Sequence, residues 1–299
     1  MQIIEYRGIG SAACEDKLCC ALGFFDGVHA GHRHLLSECV KEARKRGLKP
    51  AAFTFRAEDT VLNKSSQRLY TTAEKAEIFK ELGIEVLIIA DFESVRELCP
   101  ENFVRDVLIG ELGCRIAMSG EGFRFGKNAI GDTHLLKMLM EKSGCTGIVV
   151  PDLKIDGATV SSTKIKEALK NGDVKQANTL LGAPYFIKGR VKHGRGVGHI
   201  YGFPTLNTDL PENTVLKGGV YRSEIEIDGK RYVALTNIGT CPTFNLSEIH
   251  AETMVLNFEG DLYGEEVKIS LTDFIRGERK FDTPEDLKAQ IERDVKGLE

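Results

Sequence analysis

The chain has 299 residues, 42% of them hydrophobic and 28% charged, with a formal net charge of −4. That length holds two domains of ordinary size, and the composition excludes a disordered or collagen-like chain. The longest apolar run, Val86-Leu87-Ile88-Ile89-Ala90, is too short to cross a bilayer, and Met1 to Gly10 lacks the basic and apolar regions of a secretory signal, so a cytoplasmic protein without membrane partners is expected.

Charge is evenly spread. Up to Gly182 there are 25 basic and 25 acidic residues, and beyond it 15 and 19. Neither part is basic, which argues against a nucleic-acid partner. Of eight cysteines, seven precede residue 150 and none forms a Cys-x-x-Cys pair, so reduced and mostly buried thiols are expected.

In chain order, Leu18 to Gly23 reads as a buried strand, His32 to Arg46 as an amphipathic helix stopped by Gly47, and Pro50 to Phe55 as a second strand. A helix from Thr72 to Leu82, a strand from Glu85 to Ala90, a helix from Asn102 to Glu111 and an extended run from Cys114 to Ser119 follow. Thr133 to Lys142 reads as a helix and Gly147 to Val150 as a strand. Alternation of this kind predicts an α/β domain with a doubly wound parallel sheet. Ser162 or Thr163 opens a helix ending at Asn171-Gly172, and Asp173 caps a short one closed by Gly182-Ala183-Pro184. Beyond Gly182 the signals are strands: Val220 to Ile227, a hairpin turn at Asp228-Gly229, Arg231 to Ile238, His250 to Phe258 and Val267 to Ile275. Thr283-Pro284-Glu285-Asp286 supplies a cap, a first-turn proline and early acids for one closing helix. The expected second domain is an antiparallel β-barrel with a C-terminal helix, so the boundaries are 1–182 and 183–299.

The stretch GFFDGVHAGH (Gly23 to His32) passes from strand to helix through three glycines. Free N–H groups and the helix dipole make such a turn an anion site. His29 and His32, three apart, project from nearly one side, where imidazoles can stabilise charge moving onto a leaving pyrophosphate. Ordinary helix-start residues or a metal pair are the other readings, although no third ligand is near. VSSTKIK (Val160 to Lys166) opens another helix with three hydroxyls and two lysines; such hydroxyls ordinarily cap backbone donors, and they also suit nucleotide phosphates. A Walker loop is absent, since Gly120 to Asn128 has the wrong spacing.

In the second domain, His193 to His199 is a glycine-rich loop that is either a flexible hairpin or a phosphate cradle. In GFPTLN (Gly202 to Asn207), Thr205 and Asn207 sit two apart, which on a strand puts both on one face, roughly 6.6 Å apart along the chain; neutral oxygens of this sort suit Mg²⁺ otherwise held by phosphates and water. Glu252 shares a face with Met254, Leu256 and Phe258; a structural ion pair and a base for phosphoryl transfer both account for an acid there.

Together these motifs resemble the bacterial bifunctional riboflavin kinase/FAD synthetase family over essentially the whole chain. GFFDGVHAGH, GFRFGKNAIGD (Gly122 to Asp132) and VSSTKIK are similar to its adenylyltransferase motifs. GRGVGHIYGFPTLN, NIGTCPTF (Asn237 to Phe244), HAETMVLNF and DLYG (Asp261 to Gly264) are similar to its kinase motifs. The resemblance implies a nucleotidyltransferase-type first domain that joins AMP from ATP to FMN, giving FAD and pyrophosphate, and a barrel that phosphorylates riboflavin to FMN. It implies Glu252 as the kinase base, and His29 and His32 as the adenylyl-transfer residues. ATP would be bound by Gly23, Phe24, Asp26, Gly31, Ser161, Ser162, Thr163 and Lys166 in one site, and by Gly194, Gly196, Gly198 and Thr205 in the other. Phe55, Phe123 and Phe125 would face flavin, and Thr205 and Asn207 would hold Mg²⁺. A monomer or weak homo-oligomer working on small molecules is expected. Departures from the family pattern cluster in the first domain. Thr54-Phe55-Arg56-Ala57-Glu58-Asp59 stands where Thr-Phe-x-Pro-His-Pro is usual, Gly122 where Asp or Asn is usual, and Lys166 where Arg is usual. A kinase with a weak adenylyltransferase, or a flavin-binding regulator without turnover, are the alternatives. In the barrel, Asn257 stands where Asp is common.

Overall fold

The computed structural model describes residues 1–58, 67–193, 203–211, 214–240 and 249–298. The chain divides into two compact units, Met1–Ser162 and Thr163–Glu299.

The first unit is built on six parallel strands: β1 (Gln2–Tyr6), β2 (Leu18–Leu22), β3 (Lys49–Phe55), β4 (Val86–Ala90), β5 (Cys114–Gly120) and β6 (Thr146–Val150). Their order across the sheet is β1-β4-β3-β2-β5-β6. Every residue of β2 and β4 is buried, as strands covered on both faces must be, and this is why they read as continuous apolar runs. From β2 the sheet grows toward β3 on one side and β5 on the other. Such a reversal opens a crevice at the carboxyl ends of the strands, the usual place for a ligand in an α/β sheet.

Helices α1 (Ala30–Lys45), α2 (Thr72–Glu81), a short α3 (Phe92–Val95), α4 (Pro100–Asn102) and α5 (Thr133–Lys142) connect these strands. Thr71 and Glu74 form a reciprocal capping box on α2. The helix expected from Asn102 to Glu111 departs from the α form. After α4 the chain continues as a π-helix over Phe103–Glu111, with the Leu112 N–H donating to the Val107 carbonyl. β1 was not foreseen from the sequence; it adds to the sheet edge beside β4, in register from Gln2↔Val86 to Tyr6↔Ala90. A two-stranded hairpin, β7 (Lys154–Ile155) with β8 (Ala158–Thr159), was also missed. The seven described cysteines are all free, and Cys19, Cys20, Cys39 and Cys114 are buried.

In the second unit α6 (Ser162–Asn171) leads to α7 (Val174–Leu181), which ends at Gly182 with φ 72°. The Asn178 amide ties α7 to the barrel, donating to the Leu271 carbonyl at 2.9 Å and accepting from the Tyr185 N–H at 2.7 Å. The barrel closes through β9 (Tyr185–Lys192), β10 (Leu206–Asp209), β11 (Gly219–Ile227), β12 (Lys230–Thr240), β13 (Ile249–Val255) and β14 (Glu266–Arg276), in the order β10-β13-β12-β11-β14-β9. Asp228 and Gly229 take φ of 50° and 75° in the expected hairpin turn. Helix α8 (Pro284–Lys296) packs Ile291 and Val295, with the following Leu298, onto Val220, Leu235 and Met254. Buried Asp294 secures it by accepting from Arg276 Nε at 2.9 Å.

The strand expected over His250 to Phe258 is shorter, because Asn257 adopts a left-handed φ of 56° and the ladder stops at Val255. Phe258 therefore leaves the face it was expected to share with Glu252. Thr205 likewise lies just ahead of β10 rather than within it.

Candidate functional site

In the first unit a cavity of about 740 Å³ opens at the carboxyl ends of the strands. Leu22 and Gly23 after β2, Phe53 and Phe55 on β3, Gly120 on β5 and Val150 on β6 line it, as does the turn into α1. That turn is held in an uncommon backbone conformation: Phe25, Gly27 and Val28 have φ of 54°, 73° and 39°. Glycine is required at 27, where a Cβ would run into Leu69.

His29 caps α1, its Nδ1 accepting from the His32 N–H at 3.4 Å. With Nδ1 an acceptor, the ring proton of neutral His29 sits on Nε2, which is left to donate. The two imidazoles stack with centroids 3.6 Å apart and planes 16° from parallel. A Cβ on Gly31 would come to 3.3 Å from the His29 ring, so the glycine between the histidines preserves their stack. Burial lowers His29 to about 4 and His32 well below its ordinary value, to which His29 and Lys75 contribute. Both are therefore neutral near pH 7, and each presents a single N–H rather than two. Ser162 donates to the Asp26 carbonyl at 2.8 Å, which joins VSSTKIK to the turn into α1. Thr163 and Lys166 lie in the second unit.

Of the residues expected here, Gly23, Phe24, His29, Gly31, His32, Phe55, Phe123 and Phe125 line the cavity; Asp26, Ser161 and Ser162 do not. Phe123 and Phe125 stack with centroids 5.7 Å apart, and Phe55 meets Phe92 edge to face at 5.4 Å. Such walls suit a planar heteroaromatic ring. Phe92, Arg96, Arg124 and Asp152 also line the cavity and were missed, because nothing in their local spacing distinguishes them from surface residues. Lys75, also missed, is buried on α2 and donates to the Phe24 carbonyl at 2.8 Å. Among the described residues no group of three or more His, Cys, Asp or Glu side chains is placed to hold a metal ion.

The second unit carries a different arrangement. β10, β13 and β12 are neighbours, and their register sets Asn207 opposite Glu252 and Glu252 opposite Asn237. Directly opposed residues share a face, so one carboxylate stands between two carboxamides. Asn207 donates through Nδ2 to the Thr205 carbonyl at 3.3 Å, which leaves its Oδ1 to accept or to coordinate. The Glu252 side chain is 45% exposed, with His250 Nε2 4.0 Å from its carboxylate. It is thus an open rather than a buried acid, at the edge of the apolar cluster beneath α8. Asn237 was within a quoted motif, yet its place beside Glu252 required the register. Gly194, Gly196 and Gly198 lie outside the described residues, as does Asp59.

The FAD synthetase family model matches residues 11–164 and the riboflavin kinase model residues 181–299. The bifunctional riboflavin kinase/FMN adenylyltransferase of Bacillus subtilis is 37% identical over 284 residues, covering 92% of this chain and 89% of that protein. The protein of the same description from Escherichia coli K12 is 34% identical over 295 residues, covering 96% and 94%. The chain belongs to the bifunctional riboflavin kinase/FMN adenylyltransferase family. A crystal structure described as a macrolide-efflux protein from Streptococcus pneumoniae shares the fold over 99% of this chain and 98% of that one, with a TM-score of 0.88 and 29% identity. No helix among the described residues is long and apolar enough to cross a membrane.

At Arg56 and Glu58 the side chains that depart from the family pattern are engaged elsewhere. Arg56 pairs with Glu5, and the Glu58 carboxylate accepts from both the Thr72 N–H and its hydroxyl at the start of α2. Neither is part of the cavity wall. Gly122 lines the cavity, and a Cβ there would meet nothing within 4 Å.

Proposed function

We propose that the two activities of this family divide between the units, riboflavin phosphorylation in the second and FMN adenylylation in the first, with the functional boundary at Gly182. The chain is an enzyme of flavin cofactor synthesis, acting as riboflavin kinase and as FMN adenylyltransferase. The observation that carries the residue assignment is the contrast between the two sites: a carboxylate in register with two carboxamides in one, and neutral imidazoles opening on an aromatic cavity in the other.

In the kinase, Glu252 takes the proton of the ribityl 5′-hydroxyl as its oxygen attacks the γ-phosphorus of ATP; the bond to the bridging oxygen breaks and ADP leaves. The oxygens of Thr205 and Asn207 fit a hard divalent cation, since the Asn207 amide nitrogen is already engaged and its oxygen is not. Mg²⁺ bound there with the nucleotide would offset charge on the transferring phosphoryl group. The glycine loop would cover that nucleotide through Gly194, Gly196 and Gly198.

In the adenylyltransferase, a phosphate oxygen of FMN attacks the α-phosphorus of ATP and pyrophosphate departs. His29 and His32 donate to phosphate oxygens, and the helix start adds its backbone N–H groups. Phe55, Phe123 and Phe125 would face the isoalloxazine ring, and Ser161, Ser162, Thr163 and Lys166 would serve ATP. The enzyme would be cytoplasmic and monomeric or weakly self-associating, and the net charge of −4 supports the absence of nucleic-acid partners.

The test is chromatographic separation of riboflavin, FMN and FAD after incubation with ATP and Mg²⁺, started in parallel from riboflavin and from FMN. FAD from both starts supports the assignment of both sites. FMN that accumulates without FAD would reduce the chain to a kinase.

A further inference from the structure

Lys75 is 1% exposed, although lysine is among the residues least often buried. Its ammonium is fully engaged: it donates to the Phe24 carbonyl at 2.8 Å, to Thr54 Oγ1 at 3.1 Å and to the Phe55 carbonyl at 3.2 Å. The Thr54 hydroxyl in turn donates to the Phe24 carbonyl at 2.9 Å, and Lys75 Nζ lies 5.1 Å from the centre of the Phe24 ring. These contacts meet at two points of the cavity wall. Phe24 begins the turn that carries His29 and His32, and Phe55 ends β3 on the aromatic side. A hydrocarbon of lysine's size would fill this space at lower desolvation cost, so packing alone does not account for the charge.

We propose that Lys75 is a positioning residue for adenylyl transfer, its ammonium clamping the Phe24 and Phe55 carbonyls so that the phosphate turn and the flavin-facing wall hold one geometry. The inference rests on the reading of this cavity as the adenylyl-transfer site. Three N–H donors on one centre suit three oxygens from two strand ends; a neutral amine has two and must release one. Misplacement of reacting groups by about 1 Å costs on the order of 100-fold in rate, so a slack clamp is felt in turnover before it is felt in binding.

Among the described residues, the charged and titratable groups facing Lys75 are Asp26 on the phosphate turn, Glu58 after β3 and His32 on α1. Burial lowers the Lys75 ammonium to about 8, against the pull of the two carboxylates. His29 and His32 have already lost their protons by that pH. The linkage has a definite sign. A lysine whose value drops on folding costs stability while charged, so the first unit gains stability as pH rises from about 8 toward the ordinary lysine value. Adenylyl transfer falls over the same interval as the clamp loses its third bond. A purely structural lysine would not set those two trends against each other.

The experiment measures FAD formation from supplied FMN between pH 6.5 and 10, with FMN formation from riboflavin by the same preparation as control for ATP ionisation and folding. Wild type is expected to lose adenylyl turnover through pH 8 relative to the kinase reaction, while thermal stability holds or rises. Lys75→Met is expected to lower kcat for FAD formation at least tenfold at pH 7, with KM for FMN within about threefold, and to remove the fall through pH 8. Thr54→Val, which keeps the lysine and removes one acceptor, is expected to cost a few-fold, with Thr54→Ser restoring it. A Lys75→Met protein with kcat within twofold of wild type, or one that keeps the fall through pH 8, overturns the proposal. Should Lys75→Met fail to fold, a flat wild-type profile or an unchanged Thr54→Val does so. His32→Asn separates the two levels: retention of FAD formation there removes the site reading and this inference with it, whereas its loss beside an unaffected Lys75→Met removes the inference alone.

Discussion

On the proposed assignment, the two sites handle phosphate in opposite ways. In the first unit the two histidines are sunk as neutral rings in a walled cavity of about 740 Å³, with Arg96, Arg124 and Asp152 also on its wall. In the second, a half-exposed carboxylate sits on a sheet face between two carboxamides. The chemistry accounts for the difference. Adenylylation starts from a phosphate that already carries charge, so it needs donors and no base. Phosphorylation starts from a hydroxyl and needs an acceptor for its proton. One chain therefore offers a paired comparison in which each site serves as the control for the other.

The sharpest way to break the comparison is Glu252→Gln. FMN formation from riboflavin should fall by about 10² to 10⁴-fold, while FAD formation from supplied FMN stays as in wild type. Kinase activity near the wild-type rate would show that the proton goes elsewhere. His32→Asn should do the reverse, lowering FAD formation by about 10² to 10³-fold and sparing the kinase, measured in the same pair of assays. Acid should also separate the units. His29 drops from 6.5 to about 4 on folding, so the stability it confers is complete above pH 6.5 and lost as pH falls toward 4, about 3 kcal/mol over that window. Thermal unfolding between pH 4 and 7 should show this loss, and His29→Asn should shrink it. Gly27→Ala, at φ 73° and against Leu69, should cost about 2 kcal/mol and depress FAD formation more than FMN formation. The smallest effect is expected at Gly122. Gly122→Asn points into open space in the cavity wall and should change KM for FMN or ATP a few-fold, leaving melting temperature unaltered.

Much of the fold is local enough to be read along the chain. The α/β alternation, the Asp228-Gly229 turn and the Thr283 cap on α8 all agree with the sequence, because each depends on neighbours within one turn or one hairpin. What was missed has a common character. β1 is three strands away in the chain from β4, its partner, and has only five residues to announce itself. The sequence showed Arg56 and Glu58 as departures from the family pattern, but not that their side chains meet Glu5 and Thr72.

By itself the sequence determined that a helix follows the turn that carries His29, that Asn207 and Glu252 lie on strands, and that an α/β domain is followed by a barrel. The resemblance carried by its motifs added the family. Only the tertiary structure decided that Asn237 stands beside Glu252, that the His29 and His32 rings stack, and that a lysine 43 residues beyond His32 is buried against the turn into α1. The reason is physical: periodicity along a strand or helix specifies which way a side chain faces, while register and long-range packing specify what it meets there.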